Sequence, residues 1–319
     1  MNYKPIIIVA GEPNSIFFEI FLKVIKKKIK SPIILIASKK LLLNQAKILK
    51  KKITFNLTNE SDVIKNKNNL QKINLINVDF KQSQPFNKIT SKSNKYIASC
   101  FDIAINLLKK NTSNKLINGP ISKKTFLHDK FYGITEYLAK KTNTTKFAMI
   151  IYNKNLSVCP LTTHLPLKYV SKKVNKLEII NKVKLINNFW NKKFNKQVKI
   201  GITGLNPHCE SIDNFNEDKK IIFPTIKKLK KLNYNIEGPL AADTVFLKNN
   251  RKKFDLIIGM YHDQVLTPIK TLFEYDAINI TIGLPFIRVS PDHGPNETML
   301  GKNKSNHLSL LNSIKFLDF

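Results

Sequence analysis

Short apolar runs alternate with longer amphipathic stretches along most of this chain, and that alternation predicts its architecture. Runs at Ile6–Ala10, Pro32–Ala37, Leu116–Asn118, Phe147–Tyr152, Leu156–Leu161, Val198–Thr203, Leu256–Met260 and Ala277–Ile282 read as strands. Asn153-Lys154-Asn155 suits a hairpin between the fourth and fifth of them. Between the runs the period lengthens. Helices are predicted over Ile16–Ile29 with Ser15 as the cap, near Leu41–Leu49, over Tyr96–Leu108, over Leu177–Phe194 around Trp190, and over Ile221–Leu232. In the third of these, Ile97, Phe101, Ala104 and Leu108 share one face. The segment Lys52–Asn87 is polar, rich in Lys and Asn, and carries one apolar stretch around Ile73–Phe80. Strand–helix alternation of this kind predicts a layered α/β fold, with no internal repeat and no disordered tail.

Length and composition narrow the picture. A chain of 319 residues buries a large core and is expected to divide into two lobes. No run is long enough to span a membrane. The opening MNYKPIIIVAGEP reads as a first strand, because its apolar segment breaks at Gly11-Glu12 without a cleavage site. Cys100, Cys159 and Cys209 form no CxxC pair, which points to a reducing compartment and a cytoplasmic location.

The 54 basic against 22 acidic residues give a net charge of +32. Lys, Asn and Ile are abundant together and the lysines are scattered over helix faces, as base-composition drift would produce. No basic cluster is interleaved with aromatics, so a nucleic-acid partner is not expected. That bias makes the two arginines informative. Arg251 lies in the polar stretch Asn249–Lys253, whereas Arg288 lies in the apolar Gly283–Arg288 and is a candidate anion binder.

Three of the six histidines sit just past apolar runs: His164 after Leu156–Leu161, His208 after Val198–Thr203 and His262 after Leu256–Met260. Ligands of parallel α/β sheets bind beyond the carboxyl ends of the strands. Imidazole is the commonest side-chain ligand for a transition metal. The three are therefore candidates for one divalent-metal site with open positions for a substrate hydroxyl or carbonyl. Each could equally bond a local carbonyl at its strand end. Asp243 and Asp263 could orient the imidazoles, handle protons, or cap the helices that follow. The chain has no GxGxxG after its first strand and no GxxxxGK[ST], which disfavours a standard Rossmann site and a P-loop.

The segments TTHLPLK, GLNPH, GPLAADTVF, MYHDQ and NITIGLPFIRVSPDHG, in this order, resemble the signature segments of the 4-hydroxythreonine-4-phosphate dehydrogenase family. GEP, NGPISK and GITEYLA add weaker matches. The resemblance implies an isocitrate/isopropylmalate-dehydrogenase-like fold of two α/β lobes with the active site in the cleft. The expected lobes are residues 1–125 with about 280–319, and about 126–279. It also implies a homodimer with a shared active site, NAD or NADP as cofactor, and a divalent metal (Zn, Co or Mg). The implied reaction oxidises 4-phosphohydroxythreonine, a phosphorylated hydroxy-amino acid, with loss of CO2, giving 3-amino-2-oxopropyl phosphate for vitamin B6 synthesis. Carried over by matching position, the metal ligands fall on His164, His208 and His262, and the substrate contacts on Thr135, Lys270, Asn279 and Arg288. The segment around His293 and Gly294 is implied to lie near the nucleotide.

The chain also departs from the family pattern. The usual GHTE reads Gly133-Ile134-Thr135-Glu136, replacing a substrate-contacting histidine with a side chain that cannot hydrogen-bond. The first loop reads GEPNSIFFE and loses two glycines, GLNPH is followed by CESID, and the segment after Gly294 reads PNETMLG. A related dehydrogenase of a phosphorylated threonate or erythronate, or of a dihydrodiol, is the sister reading. A phosphate acyltransferase on a related fold would not need the histidines, and a catalytically inactive basic binding protein stands in another class.

Overall fold

The computed structural model describes residues 3–65, 69–127 and 131–319. Its strands are β1 (Ile6–Val9), β2 (Ile33–Ala37), β3 (Asn56–Thr58), β4 (Ile73–Asn77), β5 (Lys115–Asn118), β6 (Ala148–Tyr152), β7 (Ser157–Thr162), β8 (Ile200–Thr203), β9 (Ile236–Leu240), β10 (Leu256–Tyr261), β11 (Ile278–Ile282) and β12 (Ile287–Pro291). The chain forms two compact units, one of residues up to Leu138 together with Pro285–Phe319, the other Ala139–Leu284.

In the first unit the strand order is β3-β4-β2-β1-β5-β12, and every pairing is parallel. Strands β1 and β2 are apolar and buried throughout, as strands of a parallel sheet covered on both faces must be. The helix Asn94–Lys109 packs against β1 and β2. At the carboxyl ends of β1 and β5 two backbones meet directly. Gly119 donates to the Val9 carbonyl and Glu12 to the Pro120 carbonyl, both at 2.8 Å. A Cβ at Gly119 would collide with the Ala10 carbonyl, so only glycine fits there.

In the second unit the order is β11-β6-β7-β10-β8-β9. Strands β11 and β6, and β6 and β7, pair antiparallel, while β7, β10, β8 and β9 run parallel. The β6–β7 hairpin lies where its two apolar runs predict it, with Ile151 opposite Val158. Its core includes Ile151, Val158, Ile257, Val265 and Ile269.

Several elements differ from the sequence reading. The first helix runs only from Phe17 to Val24, because the next turn, Lys26–Lys28, is exposed and has nothing apolar to bury. Ser15 does not cap it: its hydroxyl donates to the Glu12 carbonyl at 2.7 Å and accepts from Phe17 N–H at 3.3 Å, and the N-cap position is Ile16. The polar stretch 52–87 contains β3, the helix Glu60–Lys65 and β4. Strands β9 and β12 and the helices Ile134–Lys141 and Leu308–Leu317 go beyond the sequence reading, while the helix expected after Asp263 runs from His262 to Phe273. Arg251 ends a short helix, Lys248–Arg251, and donates to the Phe246 carbonyl at 2.9 Å.

Lys115 on β5 is almost fully buried and donates to the Lys4 and Phe319 carbonyls. Burial pushes its ammonium down to about 8, with Asp318 opposing and Lys4 assisting. Below that value both folded and unfolded chains hold the proton, and the fold carries the full desolvation penalty. Between pH 8 and the ordinary lysine value of 10.5 only the unfolded chain stays protonated, so stability rises with pH. Urea titrations of wild type and Lys115→Met should therefore diverge in favour of wild type by about 2 kcal/mol between pH 8 and 10.

Candidate functional site

Because β7, β10, β8 and β9 are parallel neighbours, their carboxyl ends open on one edge of the second unit. His164 lies two residues past β7, His262 immediately past β10, and His208 in the turn that follows β8. Asp243 follows β9 in the first turn of the short helix Ala242–Val245. Thus residues 44 and 54 positions apart in sequence are delivered to one edge by strand order alone.

The imidazoles of His164 and His262 stand with ring centroids 5.6 Å apart. His262 opens the helix His262–Phe273, and its Nδ1 is 2.6 Å from Asp263 Oδ1. That bond orients the ring and turns Nε2 away from Asp263, the arrangement in which a carboxylate backs an imidazole that faces a ligand. His208 is presented differently. It occupies the middle of a single turn, Pro207–Cys209, with φ 54, and its side chain is 75% exposed. Asp243 Oδ2 approaches its Nδ1 at 3.9 Å, too long for a hydrogen bond. Neither Asp243 nor Asp263 caps its helix: the N-cap positions are Ala241 and Tyr261, and neither helix has a side-chain cap. Among the described residues no three His, Cys, Asp or Glu side chains are grouped closely enough to hold a metal as they stand. The donor set itself, three imidazoles with a carboxylate bonded behind one of them and a second near another, suits a Zn- or Co-type cation.

The His208 turn is anchored from beneath by Asp218, which sequence reasoning passed over. Its carboxylate is 1% exposed and accepts from Leu205 N–H at 2.7 Å, Asn206 N–H at 3.1 Å and Asn206 Nδ2 at 2.9 Å. Gly204 leaves room for it, since a Cβ there would come within 2.6 Å of Asp218 Oδ1. On the same unit, Lys270 lies half-buried in the last turn of the helix His262–Phe273. Asn279 on β11 carries a buried Oδ1 with no hydrogen-bond partner, an acceptor available to a ligand donor.

The other candidates belong to the first unit. Arg288 on β12 is 1% exposed, and its Nε donates to Asn118 Oδ1 at 2.7 Å. Burial pushes its guanidinium down to about 9 and the Glu136 carboxylate works against that, so the group remains cationic at neutral pH. Thr135 is buried in the first turn of the helix Ile134–Lys141, beside Ile134. His293 and Gly294 lie in the loop after β12, with His293 Nδ1 3.0 Å from the Gly294 carbonyl. Nothing stands within 4 Å of a Cβ built on Gly294, so the backbone there is open to a ligand's approach.

A family model described as pyridoxal phosphate biosynthetic protein PdxA matches residues 28–317. A 4-hydroxythreonine-4-phosphate dehydrogenase of Sulfurihydrogenibium sp. (strain YO3AOP1) is 36% identical over 315 residues, covering 97% of this chain and 95% of that protein. The crystal structure of 4-hydroxythreonine-4-phosphate dehydrogenase from Klebsiella pneumoniae superposes with a TM-score of 0.83 at 26% identity, covering 98% of both chains. At the level of fold alone, isocitrate dehydrogenase from Methylococcus capsulatus superposes with a TM-score of 0.50 at 8% identity, covering 98% of this chain and 84% of that one.

Asp218→Ala strands two backbone N–H groups without an acceptor and should lower unfolding stability by about 3 kcal/mol, read from urea denaturation.

Proposed function

This chain belongs to the pyridoxal phosphate biosynthetic protein PdxA family, and from that premise we propose that it is the dehydrogenase that oxidises and decarboxylates 4-phosphohydroxythreonine in vitamin B6 synthesis. The observation that carries the proposal is the delivery of His164, His208 and His262 to the ends of three adjacent parallel strands. As a dehydrogenase of this family it uses a nicotinamide cofactor; NAD and NADP both suit the reading. When bound, the nicotinamide would supply the hydride acceptor for the substrate alcohol, whose hydroxyl proton would pass to a base, and the β-keto acid so formed would release CO2 to give 3-amino-2-oxopropyl phosphate.

His164, His208 and His262 would hold the divalent cation (Zn, Co or Mg), which supplies a Lewis acid for the substrate oxygens and for charge left on loss of CO2. The remaining tasks fall to the chain. Asp263 holds the His262 ring in one tautomer through its 2.6 Å contact. Asp243, 3.9 Å from His208 and half-exposed, would move a proton through solvent. Asn279 offers its unpartnered Oδ1 to a substrate N–H or O–H donor. Arg288, held by Asn118, and Lys270 would take the phosphate and carboxylate, and Thr135 would add a hydroxyl donor. His293 and Gly294 are assigned to the nucleotide, supported by the open backbone at Gly294. We further assign the working form as a homodimer with a shared site and the location as the cytoplasm. The three cysteines are free thiols, and no helix among the described residues is long and apolar enough to cross a membrane.

One feature supports a second substrate within the same chemistry. Ile134 offers no hydrogen bond where the family pattern has a histidine, so a phosphorylated threonate is the competing substrate.

Hydride transfer to NAD and NADP should be followed with 4-phosphohydroxythreonine and with 4-phosphothreonate, with and without chelator. Activity should vanish with chelator and return with added cation, and a higher kcat/KM on the threonate would transfer the assignment to that substrate. Replacing a ligand should exceed the 10- to 100-fold typical of groups behind a ligand, so His208→Ala and His262→Ala should each lose more than about 100-fold in kcat/KM, together with bound metal. Equal metal content in wild type and His208→Ala would remove His208 from the set. Arg288→Lys keeps the charge but loses the planar fork, and KM should rise about tenfold.

A further inference from the structure

Gln264 stands two residues past His262, and its carboxamide turns back onto the sheet. Oε1 accepts from Met260 N–H at 2.7 Å and from Thr203 Oγ1 at 2.8 Å, while Nε2 donates to the Gly204 carbonyl at 2.8 Å. A single side chain therefore binds the end of β10, the end of β8 and the first residue of the segment leading to His208. Met260 completes the link on its other side, because its carbonyl accepts from Thr162 Oγ1 at 2.8 Å and so joins the end of β7. Space for the carboxamide is built into β10: a Cβ at Gly259 would stand 3.1 Å from Gln264 Oε1 and collide with Val265. Thr203 is fully buried, so its hydroxyl cannot turn to water in exchange.

Every polar atom of the carboxamide is used, and the use is directional. Two donors converge on the oxygen and one acceptor faces the nitrogen, which fixes the amide orientation. The neighbouring device, Asp218, takes its hydrogen bonds from Leu205 and Asn206, within the segment itself. Gln264 connects the His208 segment to the strand that presents His262.

We propose that Gln264 is a positioning residue, setting the Gly204–Cys209 segment and therefore His208 against His262. The proposal rests on the histidine reading given above, and its test separates the two. Gln264→Glu keeps length, volume and acceptor but sets a carboxylate oxygen against the Gly204 carbonyl, whereas Gln264→Met removes all three bonds.

Amide hydrogen exchange over residues 203–209 is compared in full-length wild type and both variants without metal, and Co2+ affinity is measured by calorimetry in the same proteins and in His208→Ala. Exchange over that segment should rise about tenfold in Gln264→Glu with β6 and β11 unchanged, and Co2+ affinity should fall 10- to 100-fold, the range for groups that orient ligands. Gln264→Met should match or exceed both effects. Unchanged exchange over 203–209, faster exchange with wild-type Co2+ affinity, or faster exchange spread evenly over the unit would each overturn the proposal. If wild type and His208→Ala bind Co2+ equally poorly, the metal reading fails, and the exchange comparison alone decides whether Gln264 holds the segment.

Discussion

The candidate chemistry depends on one constraint, the placement of β10 between β7 and β8 with all three parallel. Parallel strands finish on the same edge, so the residues that follow them emerge together however far apart they lie in the chain. Ile258 pairs with Cys159 on one side and Ile202 on the other, which brings the three strands to a common level before they end. A slip of one residue in either pairing would move a histidine-bearing end by the rise of a strand residue and turn every side chain to the opposite face. The hydroxyls of Thr162 and Thr203 and the carboxamide of Gln264 lie at that level and bind across it.

Charge is distributed in two regimes. Most of the described lysines are exposed, many of them on helix faces, where exchange between similar residues alters little. The few buried ionic groups are each tied to definite partners. Arg288 binds Asn118, Asp218 takes three N–H donors, and Glu19 accepts from Lys23 at 2.9 Å and from Ser305 N–H at 2.6 Å. Lysine has replaced arginine nearly everywhere in this chain, yet Arg288 sits where a planar fork is buried, and there the substitution would not be neutral.

Much of the fold was legible because its strands are apolar runs with few interruptions. Strands β1, β2, β6, β7, β8, β10 and β11 lie within or beside the predicted runs. The elements that escaped notice share a physical cause. β9 reads Ile-Glu-Gly-Pro-Leu, and its Gly238-Pro239 pair is a turn signal; β12 carries Arg288 at its second position and ends in proline. The helix after Asp263 was expected but not its length, since Pro268 breaks a helical pattern on paper although the helix continues through it to Phe273. At the site, the candidate residue types and their strand ends could be read from the sequence. The left-handed backbone of His208 could not, nor could the roles of Asp218 and Gln264. Side-chain bonds to backbone groups leave no periodicity, and a buried acid ten residues past a histidine resembles any other surface acid.

The division of the chain has a consequence for biosynthesis. The second unit is one continuous segment, whereas the first is assembled from both ends of the chain. Strand β12 pairs with β5, Pro295 accepts from Ile16 N–H, and the Asp318 carboxylate accepts from the backbone of Lys30 and Ser31. A ribosome therefore releases the material for the second unit while the first still lacks a strand and the groups that close its helix-bearing edge. During that interval β5 presents an unpaired parallel edge to its surroundings, the kind of surface that recruits chaperones or neighbouring nascent chains. The order in which the units are completed thus runs opposite to the order in which they begin: the unit that begins first is the last to be finished.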